Sequence, residues 1–163
     1  MGFLCDRMLI RVGKWLRAAG HDTVIAGATD ADRDLVMRAR REGRLLLTCD
    51  RRIEQELPGA DGVVLLLNAS APESAALELR ARTGIDWQRA PFTRCLEDNT
   101  VLRDAGAVER RRVPAEALEL GGPVLACDHC GRVYWPGSHV RRMRGRLARF
   151  ARGWCSAPHG TGT

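Results

Sequence analysis

Apolar residues recur with two different periods along the first 84 residues of the chain. Short apolar runs predict buried strands, and apolar residues spaced three or four positions apart predict amphipathic helices. The predicted strands are Gly2–Cys5, Thr23–Ile25, Arg44–Thr48 and Gly62–Leu67. The predicted helices are Leu9–Ala19, a segment from Asp30–Asp32 to about Glu42, Arg52–Leu57 and Ser74–Thr83. Because strands and helices alternate, the pattern predicts an α/β domain with a central parallel sheet that ends near Gly84.

Two of the predicted strands are followed by an aspartate. Asp6 comes directly after Cys5, and Asp50 follows the apolar run that ends in Thr48 and Cys49. The carboxyl ends of parallel strands lie at the sheet edge where open α/β folds bind ligands. If the two strands are neighbours, their carboxylates lie close together, an arrangement that suits Mg²⁺ or Mn²⁺.

Asp32 is a third acidic candidate for this edge, because the helix that it begins opens on the same side of the sheet. Each aspartate also has a purely structural interpretation, since Asp32 could cap its own helix and Asp50 the next one. Taken together, three carboxylates on one edge favour a site where a cation lowers the pKa of a water molecule and offsets charge on a phosphate.

The pattern changes after Trp87. Residues 94–136 contain short strand-like pieces divided by Gly and Pro with cysteines at both ends, which predicts a small metal-stapled module. His139–Arg152 predicts a final helix, whose basic residues are Arg141, Arg142, Arg144, Arg146, Arg149 and Arg152. We therefore divide the chain into an α/β domain (1–86), this module with its basic helix (87–152) and a disordered tail (153–163).

Positive charge is concentrated near the C-terminus. Residues 110–163 carry 10 basic and 3 acidic side chains, which accounts for the net charge of +6 and favours a polyanionic partner such as nucleic acid. A second basic stripe follows Asp6 on the first helix, and its members are Arg7, Arg11, Lys14 and Arg17. Such a stripe could hold a phosphate backbone, or it could be the solvated face of an ordinary helix.

The sequence predicts a cytoplasmic protein without a membrane partner. No segment approaches the roughly 20 apolar residues of a membrane span, and the N-terminus is charged from Asp6 onward. The cysteines fit a reducing compartment, because Cys127 and Cys130 form a C-x-x-C pair suited to metal. Cys5 and Cys49 are expected in strands as small buried apolar residues, and Cys155 has no expected role.

Several motifs along the chain occur in the order found in one known protein family. The N-terminal motifs are Phe3-Leu4-Cys5-Asp6-Arg7-Met8-Leu9, Trp15-Leu16-Arg17 and Gly20-His21-Asp22-Thr23. The later motifs are Asp32-x-x-Leu35-Val36-x-x-Ala39, Gly43-Arg44-x-x-Leu47-Thr48-x-Asp50, Arg94-Cys95, Cys127-x-x-Cys130-Gly131-Arg132-Val133-Tyr134-Trp135 and Gly137-Ser138-His139. Together these motifs resemble the Mut-seven C-terminal ribonuclease family, a group of PIN-like nucleases with an appended zinc ribbon. The resemblance covers about residues 2–144.

The resemblance implies a PIN-like three-layer α/β/α domain, followed by a zinc-ribbon-like module and the basic helix. It also implies hydrolysis of single-stranded or structured RNA with Mg²⁺ or Mn²⁺. On this basis Asp6, Asp32 and Asp50 are the expected metal-binding catalytic carboxylates, with Asp30 and Asp34 as substitutes for Asp32. The RNA-binding candidates are Arg7, Arg11, Lys14, Arg141, Arg142, Arg146 and Arg149. PIN-like proteins often dimerise, so a homodimer is left open.

The ribbon departs from the family pattern at one ligand. That pattern expects Cys-x-x-Cys after Arg94, whereas this chain has Asp98 in place of the second cysteine. A carboxylate can bind zinc, so the expected Zn²⁺ ligands are Cys95, Asp98, Cys127 and Cys130. His129 and His139 compete for the fourth position. Alternatively, zinc has been lost and packing around Tyr134 and Trp135 holds the module together.

Two other functions remain as alternatives. One is a non-catalytic RNA-binding or ribosome-associated protein on a PIN-like fold. The altered ribbon favours it, and so does the presence of three obvious acidic residues where PIN nucleases often have four. An α/β phosphatase or phosphotransfer protein with Asp6 as the nucleophile is a weaker alternative, because the chain lacks a second aspartate two residues later and a lysine after a later strand.

Overall fold

A parallel sheet forms the centre of the structure, a computed structural model that describes residues 1–57, 60–119 and 121–153. Its strands are β1 (Gly2–Cys5), β2 (Thr23–Ile25), β3 (Arg44–Thr48) and β4 (Val64–Leu66). Among the described residues the sheet has four strands in the order β2-β1-β3-β4, and every pair is parallel. The predicted parallel sheet is thus confirmed, with a fourth strand shorter than the predicted Gly62–Leu67.

Helices connect the strands as the apolar periodicity predicts. After a 3-10 turn at Arg7–Leu9 come α1 (Ile10–Ala18), α2 (Asp32–Glu42), α3 (Arg51–Glu56) and α4 (Pro72–Thr83). Gly43 and Gly84 end α2 and α4 in the left-handed conformation, with φ of 61° and 67°. This conformation suits glycine, which has no Cβ to clash with the backbone.

The alternation of side chains along β1 and β3 buries both faces of the sheet. Phe3, Cys5 and Leu47 belong to the apolar core under α1 and α4. Leu4 and Leu46 point to the opposite face and pack with residues of α2 and α3. The sheet therefore lies between two layers of helices. No helix of the described residues has the length and apolar character needed to cross a membrane.

A second, antiparallel sheet follows in the C-terminal half. Its strands are β5 (Arg103–Asp104), β6 (Leu125–Ala126) and β7 (Val133–Tyr134), and the short helices α5 (Ala107–Arg110) and α6 (Ala115–Glu119) lie between β5 and β6. The final helix α7 (Ser138–Arg152) returns to the first domain and packs against α4.

The main core extends across the division predicted at residue 86. Leu147 and Phe150 from α7 join the same buried cluster as Phe3 and Trp87. Both predicted domains therefore contribute to one core, and the division at residue 86 stays a prediction. Gly153 ends α7 with φ of 66°, and residues 154–163, which include Cys155 and most of the predicted tail, lie outside the described residues.

The structure corrects two details of the sequence analysis. Cys5 is buried in β1 as expected, and desolvation raises the pKa of its thiol to about 12, so it stays neutral. Cys49, in contrast, lies one residue beyond β3 and is only half-buried. The predicted basic stripe on α1 wrongly includes Arg17, whose side chain points into the protein and is 5% exposed.

Arg17 links the parallel sheet to the C-terminal half. Its Nε donates to the Thr23 carbonyl at 2.8 Å, and Nη1 donates to the carbonyls of Leu96 and Glu97 at 3.0 and 2.6 Å. A planar guanidinium is suited to this role, because its donors diverge in fixed directions. Arg17 thereby fixes the segment that carries Cys95 and Asp98 against α1 and β2.

We predict that Arg17→Met lowers the free energy of unfolding by about 2–5 kcal/mol, because it removes the guanidinium donor from one buried and two half-buried carbonyl oxygens. Urea denaturation followed by circular dichroism measures the change. The matched control is Arg11→Met on the exposed face of the same helix, which should change stability by less than about 0.5 kcal/mol. Equal effects of the two substitutions would contradict a structural role for Arg17.

Candidate functional site

Asp6 and Asp50 lie at the carboxyl edge of the sheet and share a hydrogen-bonding partner. In the register of β1 and β3, Cys5 is opposite Leu47, so Asp6 follows at the level of Thr48. The Thr48 hydroxyl donates to Asp6 Oδ2 at 2.8 Å and accepts from the Asp50 backbone N–H at 3.0 Å. One buried hydroxyl therefore connects the two aspartates that the sequence analysis places on this edge.

The Asp50 carboxylate also caps α3. Its Oδ1 accepts from the Arg52 backbone N–H at 2.9 Å, and its Oδ2 accepts from the Arg52 guanidinium at 2.9 Å. These hydrogen bonds hold the pKa of Asp50 below its ordinary value. The side chain of Arg52 is 74% exposed, so the ion pair contributes little to stability and can exchange for another partner of Asp50.

Asp32 is the first residue of α2, and its side chain does not cap that helix. The N-cap is Ala31, and no side-chain capping bond is present. Of the two substitutes, Asp30 accepts from the Gly27 N–H at 2.8 Å, and Asp34 lies beside Asp32 in the first turn. Because α2 follows β2, its N-terminus opens at the edge where Asp6 and Asp50 lie.

The three aspartates do not converge tightly. In the part of the chain that the structure describes, a single group of three or more His, Cys, Asp and Glu side chains has all its ligand atoms within 4.8 Å of one another, and that group lies elsewhere. The structure therefore links Asp6 and Asp50 through Thr48, and it does not gather the carboxylates of Asp6, Asp32 and Asp50 around one point.

The group that does converge is the predicted ribbon set of Cys95, Asp98, Cys127 and Cys130. The sulfur atoms of Cys95 and Cys130 are 3.6 Å apart, and Cys127 Sγ lies 3.3 Å from Asp98 Oδ2. Zn–S bonds of about 2.3 Å in a tetrahedron separate sulfur atoms by about 3.8 Å, so the donor set fits Zn²⁺ in both chemistry and spacing. The predicted ligand group is confirmed as a candidate metal site.

Tight turns bring these four ligands together. Asn99 has φ of 74° just after Asp98, and Gly131 has φ of 68° just after Cys130. The Cys130 N–H points at Cys127 Sγ at 3.5 Å, an orientation that favours a thiolate. Neither His129 nor His139 belongs to the converging group, so Asp98 is the better candidate for the fourth ligand.

Asp98 is held in its charged form. Burial raises the pKa of this carboxyl, but hydrogen bonds from Thr100, Cys130 and Cys127 outweigh burial and hold the pKa well below its usual range. The cluster is also supported from the side by Tyr134, whose hydroxyl lies 3.1 Å from Cys95 Sγ and accepts from the Leu96 N–H. A charged carboxylate is the form that binds a metal ion.

A basic groove of about 810 Å³ lies between α1 and α7. Its cations come from both predicted basic segments and include Arg11, Lys14, Arg142, Arg146, Arg149 and Arg152. Trp15, Leu96 and Met143 supply an apolar floor. The structure thus joins the α1 stripe and the α7 arginines in one surface. Arg7 and Arg141 are exposed but do not line this groove.

Some groove cations have partners within the protein. Lys14 pairs with Glu97 at 2.8 Å, and Arg146 pairs with Glu73 while its guanidinium lies 5.2 Å from the Trp15 ring centre. The sequence analysis missed Trp15 and Arg152 as groove residues. Trp15 is adjacent to Leu16 and lies at the margin of the apolar stripe of α1. The apolar period of the helix therefore predicts that Trp15 packs in the core and does not indicate a groove.

Comparison with known proteins agrees with the motifs. Residues 1–147 match the family described as the Mut7-C RNAse domain. Neither the curated proteins nor the solved structures gave a match. Because the family match spans most of the 163 residues and includes both sheets and the candidate metal cluster, the chain belongs to the Mut7-C RNAse domain family.

Proposed function

We propose that this chain is a divalent-metal-dependent ribonuclease on a PIN-like fold, with Asp6, Asp50 and Asp32 as its catalytic carboxylates. The observation that supports the proposal most directly is the pair of aspartates joined by the Thr48 hydroxyl at the carboxyl edge of a parallel sheet. Membership of a family described by its RNAse domain supports the choice of RNA as substrate.

Asp6 is the best-prepared ligand of the set. It is half-buried, Thr48 orients its Oδ2, and no described residue donates a hydrogen bond to its Oδ1. Asp50 becomes available when the exposed Arg52 side chain moves away, while the backbone cap still orients the carboxylate. Mg²⁺ is commonly bound by one or two carboxylates together with water and substrate phosphates, so Asp6 and Asp50 suffice without a tight third ligand.

The remaining residues of the edge have supporting roles in this proposal. A bound Mg²⁺ or Mn²⁺ would lower the pKa of a water molecule and offset negative charge on the phosphate. Arg7 follows Asp6 directly and is exposed, so its guanidinium can pair with a neighbouring phosphate. Asp32, at the start of α2, would hold a ligand water or a second cation.

One observation favours the non-catalytic alternative. Asp50 is already engaged as a helix cap and in an ion pair, and the three aspartates do not gather around one point. A protein that only binds RNA would need the basic groove but not the acidic edge. The two functions therefore differ in whether the aspartates are required for cleavage.

For the ribbon we propose a structural Zn²⁺ held by three thiolates and Asp98. The three sulfur donors and the carboxylate, whose ligand atoms lie within 4.8 Å of one another, support this assignment. Arg17 and Tyr134 both contact the segment that carries Cys95. A zinc ion bound to Cys95 would therefore help these contacts to hold the segment against the first domain.

We predict that Asp50→Asn reduces metal-dependent cleavage of single-stranded RNA by more than about 100-fold, because it removes the charge that binds the cation. Asp6→Asn should have the same effect. Asparagine also caps helices, and its one carbonyl oxygen can still accept from the Arg52 N–H at position 50 or from the Thr48 hydroxyl at position 6. Both variants should therefore stay within about 1 kcal/mol of the parent in unfolding free energy, or exceed it. The exposed Asp61→Asn serves as the control and should cleave normally.

Two results would contradict the ribonuclease proposal. One is a parent protein without Mg²⁺- or Mn²⁺-dependent cleavage, and the other is an Asp50→Asn variant with full activity. RNA binding that persists in either case would leave the non-catalytic function as the better account.

We predict about one zinc per chain by elemental analysis of protein made in zinc-replete medium, and a lower Tm after chelation, because structural zinc binding is coupled to folding. Asp98→Cys should bind zinc more tightly in competition with a chromophoric chelator, since it completes a four-thiolate site. His129→Ala and His139→Ala are the controls and should keep their zinc. Loss of zinc in a histidine variant alone would identify that histidine as the fourth ligand.

We predict that replacing Arg11 and Arg142 by Gln reduces the slope of log K against log salt concentration by about 1.4 for single-stranded RNA, because each lost phosphate contact removes roughly 0.7. Fluorescence anisotropy of a labelled oligouridylate measures this slope. Arg33 and Arg40 lie exposed on α2, on the other side of the sheet, and their replacement by Gln is the charge-matched control. An identical slope in both double variants would exclude the groove as the RNA surface.

A further inference from the structure

We propose that the basic groove continues over the ribbon as one track for single-stranded RNA, in which bases stack on an apolar floor and arginines hold the phosphates. This inference rests on the proposed function only in taking RNA as the ligand. It adds a defined path, a preference for single strands and a role for the ribbon in binding.

The path follows from two adjoining cavities. Next to the basic groove lies an aromatic cleft of about 460 Å³ whose lining includes Phe92, Tyr134 and Trp135 together with Arg112 and Arg132. The two cavities have four lining residues in common, which are Leu96, Glu97, His139 and Met143. Because their walls are shared, the groove and the cleft form one continuous surface from α1 to the ribbon.

The chemistry of this surface matches a single strand better than a duplex. Trp15, Met143 and Trp135 are half-buried and offer apolar surface along the floor, while arginines line the rims. Proteins that bind single-stranded nucleic acid combine stacking surfaces with a positively charged groove in this way. Bases in a duplex are paired and stacked on each other, so they cannot reach such a floor.

The electrostatics of the track are almost uniformly positive. Glu97 is the one acidic side chain in the described lining of the two cavities, and Lys14 pairs with it at 2.8 Å. The positive charge of Lys14 offsets the negative charge of Glu97, so the pair is nearly neutral overall. The junction of the two cavities therefore presents little repulsion to a phosphate backbone.

Arg146 adds a second stacking layer in the groove. Its guanidinium lies over the Trp15 ring, and its Nε is buried without a hydrogen-bond partner in the described structure. Guanidinium planes stack on nucleic-acid bases, so a base can lie on this layer while the arginine stays in place. The stacked pair explains why an arginine that already has a partner in Glu73 still belongs to the track.

The candidate metal cluster positions the junction. Leu96 and Glu97 follow the ligand Cys95, and the backbone of both is held by Arg17. Tyr134 contacts Cys95 and Leu96 and also lines the aromatic cleft. The ribbon therefore supplies one half of the track and aligns it with the half on α1 and α7.

Gly145 allows a test that blocks the track without removing a charge. This residue lies exposed in the middle of α7, lines the groove, and has no atom within 4 Å of the position that a Cβ would occupy. Leucine also favours a helix more than glycine does. We expect Gly145→Leu to be at least as stable as the parent and to bind 2′-O-methyl oligouridylate about tenfold more weakly, because it covers the stacking floor. Ala81→Leu, on the exposed side of α4, is the matched control and should bind as the parent does.

A second measurement separates stacking from simple charge attraction. The parent should bind oligouridylate about tenfold more tightly than an abasic ribose-phosphate chain of equal length, since stacking contributes to binding for every base in contact. Trp135→Ala should weaken binding of oligouridylate about fivefold and leave the abasic chain unaffected. Equal affinities for the two chains, or a Gly145→Leu variant that binds like the parent, would overturn the track.

These outcomes are independent of catalysis, because the 2′-O-methyl chain is not cleaved and the abasic comparison needs no activity. Weaker binding by Gly145→Leu in a protein that cleaves nothing would leave the track standing and remove the nuclease. Normal binding and normal cleavage by Gly145→Leu would exclude the track and leave the nuclease proposal standing.

Discussion

The parallel pairing of β1 with β3 is the constraint on which the rest of the structure depends. This pairing aligns Cys5 with Leu47, so that Asp6 meets Thr48 and, through its hydroxyl, Asp50. It also decides which side chains face which layer of helices. A slip of one residue would turn Phe3 and Leu4 to the wrong faces and would separate Asp6 from Thr48, so apolar burial and the acidic edge specify the same register.

A second constraint joins the two halves of the chain. The guanidinium of Arg17 reaches backbone carbonyls that are separated by more than 70 residues in sequence, and it is buried where it does so. The segment Cys95–Glu97 carries one member of the candidate metal cluster, Cys95, and Leu96 and Glu97 line both cavities. Sheet, cluster and groove are therefore held in one arrangement by a few buried polar contacts, and a disturbance of any one of them reaches the other two.

The sequence predicts features that depend on nearby residues better than features that depend on distant ones. The strands Gly2–Cys5, Thr23–Ile25 and Arg44–Thr48 are correct because each is a short apolar run. The candidate metal-binding group also converges as predicted, because Cys95 with Asp98 and Cys127 with Cys130 are pairs spaced by a local turn. The period of α1 placed Arg17 on the surface, because no local pattern shows that Leu96 and Glu97 fold over that position. For the same reason the sequence predicts the α1 stripe and the α7 arginines as separate features, and only the folded structure shows that they line one groove.

The return of α7 to the first domain has a consequence for biosynthesis. Leu147 and Phe150 complete a core whose other members begin at Phe3, and Phe150 contacts the rings of Trp15 and Trp87 edge to face. Translation proceeds from the N-terminus, so the sheet emerges from the ribosome well before the helix that closes its apolar layer. One wall of the groove is made by that same helix. The nascent chain therefore gains its finished core and its basic groove in a single late event, and partly synthesised chains have neither.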